Sequence, residues 1–182
     1  SSESRGLGDV YKRQSIVSIM TALYFSVLRP EDRVAVKPHA SPVFHAIQYL
    51  SGLQTKEKIQ NFRGFGGAQS YPSRTKDIDD VDISTGSVGL GVAMTSFISL
   101  IQDYIARKQF YKNNLLGRMI ALVGDAELDE GNVYECLQEG WKHDLRNVWW
   151  IIDYNRQSLD GVVHEGLSER LSSEKTELSL SL

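Results

Sequence analysis

The chain lacks the markers of several protein classes. It has one cysteine, Cys136, in 182 residues, so no disulfide framework can form within it. It has no run of about 18 or more apolar residues, the length a membrane helix needs. Its most apolar stretch, Val88 to Ile105, is interrupted by Ser, Thr, Gln and Asp. Positive charge is not in excess either. The 20 Lys and Arg stand against 23 Asp and Glu, for a formal net charge of −3, and the basic residues form no stripe. That balance argues against nucleic acid as a partner, and the missing apolar span argues against the membrane. The N-terminus has no signal-peptide pattern. The expectation is a cytoplasmic globular protein.

What is present is concentrated in Leu122-Val-Gly-Asp-Ala-Glu-Leu-Asp-Glu-Gly131 and Asp153-Tyr-Asn-Arg-Gln-Ser-Leu-Asp-Gly161. The apolar run Arg118 to Val123 suits a strand buried on both faces of a parallel sheet. Asp129 to Lys142 reads as a helix, with Asp129 as N-cap, Glu130 in the first turn, and Val133, Cys136, Leu137, Gly140 and Trp141 recurring at helical spacing. Asn147 to Asp153 is a second strand, rich in β-branched and aromatic residues. A right-handed crossover lays it parallel to the first. Asp125 and Asn155 then reach the same carboxyl edge, where ligands gather in open α/β sheets. A carboxylate and an amide oxygen suit Mg²⁺, which keeps few protein ligands when phosphates supply the rest. The backbone carbonyl of Gln157 could be a third. Taken alone, an Asp at a strand end is more commonly a helix cap, and it is the ordered pair that points to a metal.

Further elements are expected at Ile16 to Leu28 (helix), Arg33 to Lys37 (strand), Pro42 to Leu50 (helix), Thr55 to Phe62 (short helix) and Gly86 to Lys108 (long buried helix). The fold class is α/β, a parallel sheet with helices on both faces. Gly64-Phe-Gly-Gly67 precedes no helix and reads as a surface loop. Gly86-Ser-Val-Gly-Leu-Gly91 does not fit a dinucleotide fingerprint. His45, His143 and His164 have no metal-like spacing and read as surface or core histidines, and Cys136 as a small core residue. His39, before Ser41-Pro42, could be a packed histidine near a helix cap, or a phosphate ligand at a helix N-terminus.

Gly124-Asp125, followed about thirty residues later by Asn155, resembles the thiamine diphosphate fingerprint of the transketolase and pyruvate dehydrogenase superfamily. From about Ser15 to Gly166 the chain is most similar to the diphosphate-binding domain of homodimeric pyruvate dehydrogenase. The resemblance implies a truncated thiamine diphosphate-binding fold. His39 and Ser41 would lie at the diphosphate, and Gly86 and Val88 at the thiazolium and pyrimidine rings. Gly124, Asp125, Ala126, Glu127 and Asn155 would line the cofactor site, with Asp125, Asn155 and Gln157 on Mg²⁺. Glu130 and Glu135 match glutamates that link paired active sites across a dimer. Ser70-Tyr-Pro72 matches the substrate-side loop.

The activity implied is that of a thiamine diphosphate-dependent enzyme, whose cofactor is the electron sink for cleaving a bond beside a carbonyl. The substrate is a 2-oxo acid, pyruvate favoured, or a ketose phosphate. Tyr71-Pro72 stands where sugar transketolases carry His-Pro, which favours the 2-oxo acid. Against this, Ser73 replaces a histidine of pyruvate dehydrogenase, and Ala126 replaces the second glycine of Gly-Asp-Gly. The full-length form would be a homodimer, with an acyltransferase component of a multienzyme complex as a further partner. Residues 1–14 and the low-complexity tail 167–182 do not resemble the family, and 15–166 reads as a domain fragment. The glutamate that activates the cofactor in this family comes from another domain, so the fragment alone is expected to be inactive. Val148 to Ile152 would be an aggregation liability at an open sheet edge. A noncatalytic assembly module and a Mg²⁺ phosphohydrolase, with Asp153 and Glu127 as nominal second carboxylates, are the other readings.

Overall fold

Six consecutive residues without a charge can be buried only where both faces of a sheet are covered. Met119–Gly124 is buried at every position. A computed structural model describes residues 15–110 and 116–155. In it three parallel strands, β1 (Arg33–Ala35), β2 (Met119–Gly124) and β3 (Val148–Asp153), lie in the order β1-β2-β3. The register pairs Arg33 with Met119 and Met119 with Val148, and it ends on Gly124 with Asp153.

Alternation along β2 divides the core in two. Ile120 and Leu122 point to one face and join Val34 and Val36 beside β1. Covering them are Ile16, Met20 and Leu23 from α1 (residues 15–22, continued by a π turn at Leu23–Val27), and Phe44 and Ile47 from α2 (Ser41–Leu50). The short α3 (Lys56–Gln60) follows α2, capped by the Thr55 hydroxyl, which accepts from Lys58 N–H. Ala121 and Val123 point to the other face, against Val92 of α4 (Leu90–Arg107) and Val133 and Cys136 of α5 (Gly131–Lys142). The expected sheet with helices on both faces is what the chain forms. No helix among the described residues is long and apolar enough to cross a membrane.

Small residues let α4 approach the sheet. A Cβ added at Gly91 would stand 3.2 Å from the Cβ of Ala35. The helix is entered through Gly89 at φ 77°, where a Cβ would collide with the Asn132 side chain. That conformation and that space admit only glycine without strain.

Both edges of the sheet carry charge. At the amino edge Asp32 accepts from the N–H groups of Arg118 and Arg29, at 2.8 and 2.9 Å, and from the Arg118 guanidinium. That guanidinium also lies 4.2 Å over the Trp149 ring, so one cation joins all three strands. On the free side of β1, Asp82 accepts Val34 N–H at 2.9 Å and pairs with Arg33 at 3.4 Å, closing an edge that would otherwise recruit another strand.

Several expected boundaries move. α4 starts at Leu90 rather than Gly86, because Gly86 to Gly89 form a turn. Nor is α4 buried all round: Val92, Thr95, Ser96 and Ser99 face the sheet, while Leu90, Met94, Phe97, Ile101 and Tyr104 form an exposed stripe on the opposite side. α5 starts at Gly131, since a 3₁₀ turn takes up Asp125–Asp129 and Glu130 becomes the N-cap position. Of its expected apolar face only Val133 and Cys136 are buried. Leu137 and Trp141 are exposed and Gly140 half-buried, because the helix leaves the sheet after its first turns. Ser41 caps nothing; its hydroxyl donates to the carbonyl of Ser70. β3 is half-buried, with Trp149 and Ile151 on one core and Trp150 on the other.

The amino-edge pair gives a first prediction. Burial pushes the Asp32 carboxyl up, but its bonds to Arg118 and Arg29 outweigh this and hold it below the usual carboxylate range. Its stabilising contribution is therefore present above about pH 3.9 and is lost as pH falls through the lower folded-state value. Asp32→Ala, which strands the guanidinium, is expected to cost about 3–5 kcal/mol at neutral pH. Urea melts down an acid series test both statements, and an unchanged midpoint at pH 7 contradicts them.

Candidate functional site

In a parallel sheet the carboxyl ends of all strands meet at one edge. The pairing of Gly124 with Asp153 brings β2 and β3 to that edge level with each other. Asp125 follows β2 directly, and Asn155 follows β3 after Tyr154. The two residues expected to hold a metal thus leave adjacent strands, about 4.8 Å apart, at the same edge. Asp125 is buried, and its Oδ1 accepts Ala126 N–H at 3.0 Å. Asn155 is half-buried, and its Nδ2 donates to Asp153 Oδ2 at 3.3 Å and to Ser15 Oγ at 3.4 Å. Gln157 lies outside the described residues.

Between these two stands a buried ion pair that sequence reading missed. Lys37, beyond the end of β1, sends its ammonium past the end of β2 to Asp153 Oδ2 at 3.0 Å. Both side chains are at most 10% exposed. Ser15 Oγ donates to the same oxygen at 3.1 Å. The path is open because position 124 is glycine: a Cβ there would stand 3.0 Å from the Lys37 Nζ. Lys37 was hidden in the sequence because its partner lies more than a hundred positions away.

Glu127 is the second tie. Its Oε2 accepts Gly124 N–H at 2.7 Å and its Oε1 accepts Gly89 N–H at 3.2 Å, fastening the turn before α4 to the end of β2. Gly86 and Val88, in that turn, are thereby carried to the carboxyl edge, Gly86 half-buried and Val88 exposed. His39 is exposed in the 3₁₀ turn Pro38–Ala40, after β1. Ala126 is half-buried beside Asp125. Glu130 and Glu135 are both exposed, at the start and on the outer side of α5, and Glu135 lines a groove with Phe97 and Leu100 of α4. Glu130 N–H donates to the Glu127 carbonyl at 3.2 Å, which places its backbone beside the turn after β2. Cys136 is a buried core thiol, pushed up by burial and by Glu135.

The loop of Ser70, Tyr71 and Pro72 comes to the same region. Thr85 N–H donates to the Pro72 carbonyl at 3.1 Å, and a Cβ on Gly86 would meet the Tyr71 ring at 3.9 Å. What holds the loop is α2. The Ser41 hydroxyl bonds the Ser70 carbonyl, and buried His45 lies 2.9 Å from the Gln69 carbonyl through Nε2 and 2.6 Å from Asp79 through Nδ1. His45, Asp77 and Asp79 bring ligand atoms within 4.8 Å of one another, a spacing that could hold a metal. Most of these atoms are already engaged, His45 through both ring nitrogens and Asp77 with the N–H groups of Gln69 and Ser73 at 2.9 and 2.8 Å, while Asp79 Oδ1 is buried without a hydrogen-bond partner. Of the two placements open to His45, surface or core, the structure has the core one, and its acidic partners are 32 or more positions away in sequence and were not legible as partners.

A phosphohydrolase centre needs a second carboxylate able to act. Asp153 is neutralised by Lys37, and both oxygens of Glu127 hold backbone N–H groups. What the edge does bring together is a buried carboxylate, Asp125, and a carboxamide, Asn155, on one rim.

The sequence model of the family described as "Transketolase, thiamine diphosphate binding domain" matches residues 29–176. The chain is 29% identical to one subunit of the apulose-4-phosphate transketolase of Phocaeicola vulgatus over 85% of its own length and 55% of that protein. It is 30% identical to the pyruvate dehydrogenase E1 component of Mycolicibacterium smegmatis over 72% of its length and 15% of that protein. Transketolase from Leishmania mexicana shares the fold, with a TM-score of 0.75 at 19% identity over 91% of this chain and 30% of that one. The chain therefore spans from under a fifth to about half of the relatives' lengths.

The Lys37–Asp153 pair makes a prediction at this edge. Lys37→Met leaves a buried carboxylate without its cation and is expected to cost about 3–5 kcal/mol, most of it recovered in Lys37→Met combined with Asp153→Leu. Urea midpoints of the two variants against the parent test this. A single variant as stable as the parent contradicts it.

Proposed function

The chain belongs to the transketolase thiamine diphosphate-binding family, and from that premise we propose that its carboxyl edge holds the diphosphate of thiamine diphosphate through Mg²⁺. Asp125, Asn155 and the carbonyl of Gln157 would hold the ion. The observation that carries this is the joint exit of Asp125 and Asn155 from register-paired strands. The donor chemistry fits: a buried carboxylate and a carboxamide are hard oxygen ligands, and Mg²⁺ takes few of these when phosphates complete its shell. When bound, the cofactor supplies an electron sink for cleaving a bond beside a carbonyl carbon.

The chain's own residues bind and orient. Lys37 pairs with Asp153, so the charge of that carboxylate is balanced at the edge. Glu127 keeps Gly86 and Val88 at the edge, where they would face the cofactor rings, with Gly124 and Ala126 giving close backbone approach. His39 would reach the diphosphate from the turn after β1, and Ser41 would act through the Ser70 carbonyl it bonds. Glu130 and Glu135 would link paired sites in a homodimer, which their exposure on α5 permits. Residues 15–166 are the proposed domain, with 1–14 and 167–182 outside it.

The full-length enzyme is proposed to act on a 2-oxo acid, pyruvate favoured, in the cytoplasm, with an acyltransferase component as partner. Tyr71-Pro72, in the loop beside Gly86, favours this over a ketose phosphate. The transketolases among the relatives support the ketose phosphate as the second reading, and nothing observed favours a noncatalytic module.

The test is thermal melting of the chain with thiamine diphosphate and Mg²⁺, together and apart. At a hundred times the dissociation constant a ligand adds about 2.7 kcal/mol. A shift is expected only with both, and it should vanish in Asp125→Ala and in Asn155→Ala. No shift in the folded parent overturns the proposal. The isolated chain is expected to release no carbon dioxide from pyruvate.

A further inference from the structure

The cluster of His45, Asp79 and Asp77 has no part in holding the cofactor, yet it touches the loop that borders the ring-facing turn. Both ring nitrogens of His45 face acceptors: Nε2 faces the Gln69 carbonyl at 2.9 Å and Nδ1 faces Asp79 Oδ2 at 2.6 Å. A neutral imidazole has one N–H and can satisfy only one of these. The geometry therefore requires one further proton on the His45–Asp79 pair.

We propose that protonated His45 is a positioning residue that docks the Gln69–Pro72 loop onto α2, so that the placement of Tyr71 beside Gly86 depends on pH. This rests on the reading of that loop as the substrate side of a thiamine diphosphate site.

The contacts give the device its parts. His45 anchors the carbonyl of Gln69, Ser41 anchors that of Ser70, and Asp77 takes the N–H groups of Gln69 and Ser73. The charged groups facing His45 are Asp77 and Asp79, from the segment that follows the loop. α2 presents the Phe44 ring at 5.5 Å and the segment after α3 the Phe62 ring at 5.9 Å. Tyr24 of the π turn lies nearby, its phenol kept neutral by burial and by the same acidic segment. Loss of the proton leaves one N–H, which the Asp79 carboxylate keeps at Nδ1, so Nε2 turns a lone pair on the Gln69 carbonyl and the loop loses that anchor, in a pocket where His45 is 1% exposed. Asp79 Oδ1 is buried without a hydrogen-bond partner, so the carboxylate has no other donor to turn to.

Burial alone would push the imidazole down; the bonds to Asp79 and Gln69 and the charge of Asp77 more than reverse it, and the ring titrates above its usual value. A group raised in this way stabilises the folded form fully below about pH 6.5, and that contribution is lost as pH rises through the folded-state value.

The experiment is NMR of the intact chain across this range, reading the His45 ring nitrogens and the hydrogen exchange of residues 69–73, corrected for the intrinsic pH dependence of exchange. Expected are two protonated ring nitrogens at pH 6.5, and loop protection that falls about tenfold per unit of upward shift as the ring loses its proton. Asp79→Asn supplies an amide N–H to a neutral Nδ1, so it should keep the loop docked and remove the pH dependence. His45→Phe should undock the loop at every pH while the strands stay protected. A ring with one bare nitrogen at pH 6.5, or Asp79→Asn with the parental pH dependence, overturns the proposal. Melting with thiamine diphosphate and Mg²⁺ is read separately. Its failure beside a working loop titration overturns the substrate-side role and locates the error in the cofactor reading.

Discussion

One buried charge pair sets the conditions at the working edge of this domain. The Lys37 ammonium comes from the end of β1, passes the side-chain-free Gly124 at the end of β2, and meets Asp153 at the end of β3. Three strand ends are therefore tied at the place where the chain has to leave the sheet. A pair this deeply buried adds little net stability against an apolar replacement. What it fixes is the relative position of the segments on either side: His39 after Lys37, Asp125 after Gly124, and Asn155 after Asp153.

The same economy of charge runs through the rest of the edge. Glu127 holds two backbone N–H groups, and Asp77 holds two more. Each of these carboxylates is used to hold a turn in place, so acidic residues crowd the region without competing for one ion. Asp125 differs because it follows the central strand directly and is buried at the edge itself. The distinction matters for chemistry, since a phosphorylated ligand tolerates a carboxylate only when a cation stands between them.

Much of this was legible in the sequence, for physical reasons. Met119–Gly124 and Val148–Asp153 are apolar runs of strand length, and the helix between them leaves a right-handed crossover as the connection, so order, direction and register edge follow. Burial of single faces was less legible. Leu137 and Trp141 share the helical period of Val133 and Cys136, but period says which residues share a face, and only packing says how far along the helix that face is covered. α4 starts four residues after Gly86 because Gly86 to Gly89 form a turn, with Gly89 at φ 77°, and the contact that fixes it, Gly89 N–H to Glu127, comes from a residue far away in sequence. Lys37–Asp153 and His45–Asp79 escaped for the same reason: a pairing between distant positions leaves no local pattern.

The central claim is that Asp125 and Asn155 meet on one cation beneath a diphosphate. The direct measurement substitutes Mn²⁺ for Mg²⁺, with thiamine diphosphate present, and records paramagnetic broadening in the NMR spectrum of the chain. Broadening that centres on the Asn155 side-chain amide and the N–H of Ala126, and that needs thiamine diphosphate, is the predicted result. Broadening centred on His45, Asp77 and Asp79, or indifferent to thiamine diphosphate, would contradict it.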